Sequence, residues 1–294
     1  MKRLFFLAAL LACLQTMQAK KALVVIAHGS PMPQWRQPVL DLEPMLQNRK
    51  GELKAYDYIR VAMMEFTEPT VATVVSDCEK AGVDTIFAVP LFIAPSGHSE
   101  VDIPNIIGQK YNPQVISELK EENTTLVSSR LPIILGPTLS YDDFLEKTMV
   151  ERVKEISTTP TDEALLFICH GDRDYVGIWN KKMKQIEEAV GAQTGIATID
   201  HRYVAMGYKM VREMIPVMKE MAATKKRILV QGVYLTSSAK ELAEGIGMDE
   251  QTSKELPAGT EVVYNGMSIL PASSAAVCDW IIKRANEFEL KGEK

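Results

Sequence analysis

Three side chains in this chain of 294 residues have the types and placement to do metal chemistry: His28, Glu65 and His98. Two imidazoles with one carboxylate make a borderline donor set that suits cobalt, iron, nickel or zinc and suits calcium or magnesium poorly. The chain has only four histidines, so two of them in matching settings is informative. Each of the three residues follows an apolar run that reads as a strand. Open α/β sheets bind ligands beyond the carboxyl ends of their strands, so the three groups are expected to converge in one crevice. A neutral imidazole, with an ordinary pKa of about 6.5, can hold an ion or accept a proton at working pH. Glu65 can balance charge or relay protons.

Each choice has a plainer reading. A His-Gly at a strand end can simply close a tight turn. Glu68 fits the start of a helix, where the macrodipole favours an acid, and stays outside the catalytic set. His170 either faces the same crevice from the other half or serves its own turn, and His201 beside Arg202 follows a strand with no further signal. The fifteen methionines read as core filler.

The elements that must position these residues occur twice. Ala22 to Gly29 reads ALVVIAHG and Ala164 to Gly171 reads ALLFICHG, which places His28 and His170 142 residues apart. VPLFIAPSGH, ending at His98, matches QGVYLTSSAK, ending at Lys240, at the same spacing. Val61-Ala62-Met63 recurs as Val204-Ala205-Met206 at 143, which sets Glu65 against Tyr208. A duplicated unit explains the near-constant offset. Only the first copy keeps all three donors, so metal chemistry is expected there.

Strands are expected at 22–27, 56–63, 85–89 and 126–135, and again at 164–169, 195–200, 227–231 and 261–264, with helices between them. Glu68-Pro69-Thr70 opens one helix, with Pro69 in its first turn, and Asp102-Ile103-Pro104 another. The fold class is therefore α/β, with two similar lobes, each a mainly parallel sheet flanked by helices. The division is a leader at 1–19, a first lobe at 20–139 and a second at 140–294.

Composition is that of a folded protein, with 46% hydrophobic and 24% charged residues. The net charge of −5, with no basic stripe, argues against nucleic-acid binding. Lys2-Arg3, the apolar run Leu4 to Ala12 and Met17-Gln18-Ala19 read as an export signal cleaved after Ala19. The rival reading uses Leu10-Leu11-Ala12-Cys13 as a lipidation site, which would anchor the protein at the cell envelope. Either way the mature protein is expected outside the cytoplasm. Cys78, Cys169 and Cys278 have no paired spacing and read as small buried residues.

VIAHGS at Val25 to Ser30, MMEFTEPT at Met63 to Thr70 and PLFIAPSGHSEVDIP at Pro90 to Pro104 resemble the sirohydrochlorin cobaltochelatases, the class II tetrapyrrole chelatases. The resemblance covers most of the chain beyond the leader. It implies two α/β lobes around a cleft, and insertion of a divalent metal into a tetrapyrrole without ATP or an organic cofactor. It implies that His28 and His98 contact the metal and that Glu65 is the active-site acid. The metal, Co²⁺ or else Fe²⁺ or Ni²⁺, would be a substrate. Some chelatases of this group keep a histidine pair in the second half, where this chain has only His170 of the two. A flat ring would need apolar neighbours, for which Phe92, Trp35, Met63 and Met64 are candidates, and cations for its carboxylates, for which Arg36 or Arg202 are.

Two other functions stay open. One is a haem or tetrapyrrole-binding protein of the cell envelope, capturing haem or removing its iron in the same cleft. The other is a two-lobed solute-binding protein with dispensable histidines. Homo-oligomer formation is compatible with all three.

Overall fold

The computed structural model describes residues 19–292 apart from Met206, so the leader segment 1–18, with Cys13, lies outside the described residues. Eight strands form two sheets: β1 Lys21–Ala27, β2 Tyr58–Met63, β3 Thr85–Pro90 and β4 Ile133–Leu135 in one, and β5 Glu163–Cys169, β6 Thr198–Tyr203, β7 Arg227–Gly232 and β8 Glu261–Tyr264 in the other. Their orders are β2-β1-β3-β4 and β6-β5-β7-β8, and every pairing is parallel. Central parallel strands are covered on both faces, which is why β1 and β5 are almost continuously apolar and buried. β6, at a sheet edge, reads TIDHRY and is half-buried throughout.

In the first sheet the chain runs outward from β1 to β2 and then returns to β3 on the other side of β1. The carboxyl ends of β1 and β3 therefore flank a topological switch point, the natural ligand crevice of an open sheet. His28 is the first residue past β1, and His98 lies in the segment that follows β3.

Two expected strands sit elsewhere. The 126–135 strand contracts to Ile133–Leu135, because the Val127 amide donates instead to Ile106 O and Pro132 has no N–H for a ladder. The 195–200 strand moves to 198–203, because Gly195, at φ +81°, ends the helix Val176–Thr194 in the left-handed conformation. Pro69 precedes its helix, Val71–Lys80, whose cap is Thr70: Thr73 N donates to Thr70 Oγ1 at 3.1 Å. The next helix starts earlier than Asp102, as a π-turn over His98–Asp102 that runs into Ile103–Ile106.

Register also corrects one internal alignment. Ala22 pairs with Tyr58 and Ala164 with Thr198, so β2 and β6 correspond at 140 residues, not 143. Met64 N donates to Ala27 O just as Val204 N donates to Cys169 O. The counterpart of Glu65 is therefore Ala205 instead of Tyr208, and the second copy still lacks the acid.

One hydrophobic cluster runs through both lobes, joining Leu23 and Val25 of β1 to Leu165 and Phe167 of β5 and to Val277, Trp280 and Ile281 of the last helix, Ser274–Gly292. That helix returns to the first lobe. Tyr56 donates to Ala285 O at 3.0 Å in the buried core, and Phe87 stacks on Phe288 at 4.5 Å. Burying so much apolar surface between the lobes resists their separation. Cys78, Cys169 and Cys278 are buried free thiols. No described helix is long and apolar enough to cross a membrane.

Candidate metal centre

His28, Glu65 and His98 come together at the switch point, with one ligand atom from each lying within 4.8 Å of the others. The imidazole rings of His28 and His98 are 4.6 Å apart, edge to face at 72°. Glu65 is 5% exposed, whereas the two histidines are 42% and 44% exposed, so the acid forms a floor and the imidazoles an open rim. The β1–β2 ends can approach this closely only because residue 29 is glycine. Its φ is +95°, and a Cβ there would lie 2.2 Å from Glu65 O.

Hydrogen bonding assigns the tautomers. His28 Nδ1 donates to Gly29 O at 3.0 Å, and His98 Nδ1 donates to Asp102 Oδ2 at 2.8 Å, since neither partner can donate in return. Both rings therefore present an Nε2 lone pair, the arrangement in which an imidazole binds a metal with its second nitrogen held by an outer partner. His28 Nε2 lies 3.2 Å from Glu65 Oε1. A lone pair facing a carboxylate at that range needs a proton or a cation between them. Two donors sharing a first-row ion at about 2.1 Å are themselves about 3.0–3.4 Å apart.

The groups titrate in different directions. Burial lowers the pKa of His28, and the nearby His98 and His170 lower it further against the Gly29 hydrogen bond, which favours the neutral ring. Burial also disfavours charge on His98. The hydrogen bond and charge of Asp102, with Glu65 and Asp172 nearby, outweigh this and raise its pKa. Burial raises the Glu65 pKa, with Glu122 adding to the effect.

Asp102, an i+4 partner on the π-turn, was not legible as a site residue. Replacing it with Asn should weaken Co²⁺ binding at neutral pH about 10- to 100-fold, the usual effect of losing an outer partner of a ligating histidine. It should also move the acid loss of binding to lower pH, because the main group raising the His98 pKa is gone. Titration with Co²⁺ across pH checks both; unchanged affinity would show that Asp102 does not orient the ring.

Phe66 was also missed. It is 56% exposed, sits at φ +66° and lies 5.7 Å from the His28 ring. A bulky residue in the left-handed region is held there by its surroundings, a strain common at ligand sites. Phe92 is 6.1 Å from His98 and only partly buried, as a ring-contacting residue should be.

The two methionines are placed differently from expectation. Met63 and Met64 are buried in the sheet core and cannot line a cleft. Trp35 donates to Glu241 Oε1 at 3.2 Å across the lobes. Arg202 is paired with Asp200 at 2.7 Å, whereas Arg36 donates, among the described residues, only to backbone carbonyls of its own loop, Pro31 O at 2.7 Å. His170 ends its own central strand, exposed, with Nδ1 donating to Gly171 O, and lies near enough to His28 to lower its pKa, as a residue facing the same crevice from the other half would. His201 falls in a second donor cluster with Glu187 and Asp200. Its members are already partnered, His201 with Glu187 at 2.6 Å and Asp200 with Arg202.

Two parallel α/β lobes carry an open, half-exposed set of donors at a switch point that could hold a metal ion. The CbiX family model matches residues 22–156, the segment that carries His28, Glu65 and His98. A sirohydrochlorin cobaltochelatase of Methanococcoides burtonii is 31% identical over 141 residues, 48% of this chain and 99% of that protein. One of Methanopyrus kandleri is 28% identical over 140 residues, covering 46% and 95%. One of Methanococcus maripaludis is 36% identical over 88 residues, where the match spans 30% of this chain and 58% of that protein. The chain belongs to the sirohydrochlorin cobaltochelatase family. Its fold is that of the sirohydrochlorin chelatase SirB from Bacillus subtilis subspecies spizizenii in complex with cobalt, with a TM-score of 0.61 at 17% identity over 92% of this chain and 97% of that one. SirB from Bacillus subtilis with Fe³⁺ gives 0.62 at 17% identity, over 91% and 95%.

Proposed function

We propose that this protein inserts Co²⁺ into sirohydrochlorin, without ATP and outside the cytoplasm. The observation that carries the reading is the convergence of two imidazoles, each with Nδ1 held by a hydrogen bond, on the buried Glu65, which lies 3.2 Å from His28 Nε2.

Insertion exchanges one Co²⁺ for two protons: the ring's two N–H groups lose them as its four nitrogens take the ion. The holding site must be weaker than the ring. Three protein donors with an open side satisfy this, whereas a closed tetrahedral cage would trap the ion. As the ion leaves, the freed His98 Nε2 can take one pyrrole proton, with Asp102 stabilising the imidazolium. The Glu65 carboxylate can take the other, its basicity raised by burial. His28, whose pKa is lowered, remains a ligand for the next ion. Phe66 and Phe92 flank the histidines and offer apolar faces to the macrocycle.

The test mixes protein lacking residues 1–19 with sirohydrochlorin and Co²⁺, with no nucleotide present, and follows the ring's absorption. The expected result is a metallation spectrum that develops faster than in the protein-free control. Tight haem binding with no acceleration would replace this reading by haem capture. For the location, the leader motif supports export to the periplasm, or anchoring at the envelope through Cys13. Amino-terminal sequencing of protein from the native host is expected to begin at Lys20, and a labelled palmitate at Cys13 would favour the anchored form.

A further inference from the structure

We infer that Asp172 and Trp179 of the second lobe are positioning residues for His98, so that the degenerate copy serves the metal centre by clamping the loop that carries its second imidazole. This inference rests on the metal-binding reading of His28, Glu65 and His98.

Residue 172 corresponds to Ser30, since each follows the His-Gly that ends its central strand. The two do the same local work. Met32 N donates to Ser30 Oγ at 3.0 Å, and Asp174 N donates to Asp172 Oδ1 at 2.9 Å. A hydroxyl therefore suffices for the turn, and the carboxylate at 172 brings a second oxygen that the turn does not need. That oxygen, Oδ2, accepts from Gly97 N at 2.8 Å, across the lobe boundary and next to His98. Gly97 N lies at the start of the π-turn, where the early N–H groups have no partner within the turn itself.

A second contact reaches the same loop. Trp179, 5% exposed on the helix Val176–Thr194, donates from Nε1 to Pro95 O at 2.9 Å. Its ring is packed edge-on against Tyr203 at 6.3 Å, which fixes the direction of the N–H. Pro95 to Gly97 is thus held at both ends by the other lobe.

The two copies are not alike in this. Trp179 N donates to Tyr175 O as Arg36 N does to Met32 O, which makes Arg36 the counterpart of Trp179. Arg36 turns back onto Pro31 O in its own loop, and Ser30 Oγ serves its own turn. Among the described residues the mirror-image clamp on the loop of Lys240 is not made. The lobes do meet on that side through Trp35 and Glu241, side chain to side chain and exposed, with no hold on backbone. Among the described residues, the part-buried, backbone-directed clamp is found only where the held loop carries an imidazole. Without it, the 4.6 Å approach of His98 to His28 would depend on the first lobe alone.

The test compares Co²⁺ affinity, read from the visible absorption of the bound ion, in the parent, Asp172→Ser, Trp179→Phe, His98→Ala and the Asp172→Ser/His98→Ala double variant, with thermal melts of each. Asp172→Ser, the first copy's own solution, keeps the turn and drops the clamp. It is expected to bind Co²⁺ roughly tenfold more weakly while melting like the parent. Trp179→Phe keeps the ring packing and loses one hydrogen bond, for a loss of roughly threefold to tenfold, and reports on the clamp should Asp172→Ser fold poorly. In the His98→Ala background, Asp172→Ser should change Co²⁺ affinity no further, because its effect passes through that imidazole. Parent affinity in both single variants, or an equal loss from Asp172→Ser with and without His98, would overturn the inference. A parent no tighter than His98→Ala would instead remove the metal reading on which it stands.

Discussion

Replacing His28 or His98 with Ala is expected to lower the rate of Co²⁺ insertion into sirohydrochlorin at least about a hundredfold, to near the protein-free rate. In the proposed reaction each ring contributes one of the two Nε2 donors, and His98 also takes a departing proton, a role worth about 10²–10⁴-fold by itself. The two variants should differ in kind. With His28 gone, the remaining pair keeps the proton acceptor but holds the ion poorly, so raised Co²⁺ should recover part of the rate. With His98 gone, raised Co²⁺ should recover less. Both side chains are over 40% exposed, so truncation should leave the melting temperature close to the parent's, which separates lost chemistry from lost fold. Parent rates in both variants would leave the fold standing and remove the proposed chemistry.

Glu65→Gln is expected to lower the rate about a hundredfold, with an accompanying change in pH dependence. The amide fits the same buried space but neither accepts a proton nor balances the ion's charge. In the parent, insertion should fail as pH falls through the raised pKa values of His98 and Glu65, because protons then occupy the donors. Glu65→Gln removes one of those titrations and also part of the negative charge that raises His98, so the acid limb should move to lower pH. Asp102→Asn moves the limb the same way but keeps the Glu65 acceptor, and its rate at saturating Co²⁺ should fall less. Rate against pH at saturating metal distinguishes the two. An acid limb that stays in place in Glu65→Gln would mean that Glu65 does not share the site with His98.

The central strands and the donor set were legible in the amino-acid order because they depend on local facts. A parallel strand covered on both faces must be continuously apolar, so ALVVIAHG and ALLFICHG announce themselves, and the residue past such a strand is where an open sheet binds. The edges were less legible. β6 carries a mixed, half-buried pattern whose start is set by the left-handed Gly195, and β4 is shortened by where Val127 finds its hydrogen bond. The matching of Val61-Ala62-Met63 with Val204-Ala205-Met206 followed letters, whereas the ladders align His201 with Val61. Asp102 becomes a partner of His98 only because the chain turns helical at residue 98, earlier than Pro104 suggested. The left-handed φ of Phe66 has no signature in residue type. Asp172 and Gly97 are 75 positions apart and meet through lobe packing, which no local pattern encodes.

In the proposed site His28 and His98 offer Nε2 to one ion above Glu65. Anomalous diffraction from a crystal soaked in Co²⁺, collected at the cobalt edge, tests it directly. The expected result is a peak about 2.1 Å from both Nε2 atoms, with a Glu65 oxygen as the third protein donor and the remaining positions open to water. A peak held by one histidine alone, or one seated at Glu187, Asp200 and His201 with the His28 site empty, would contradict it.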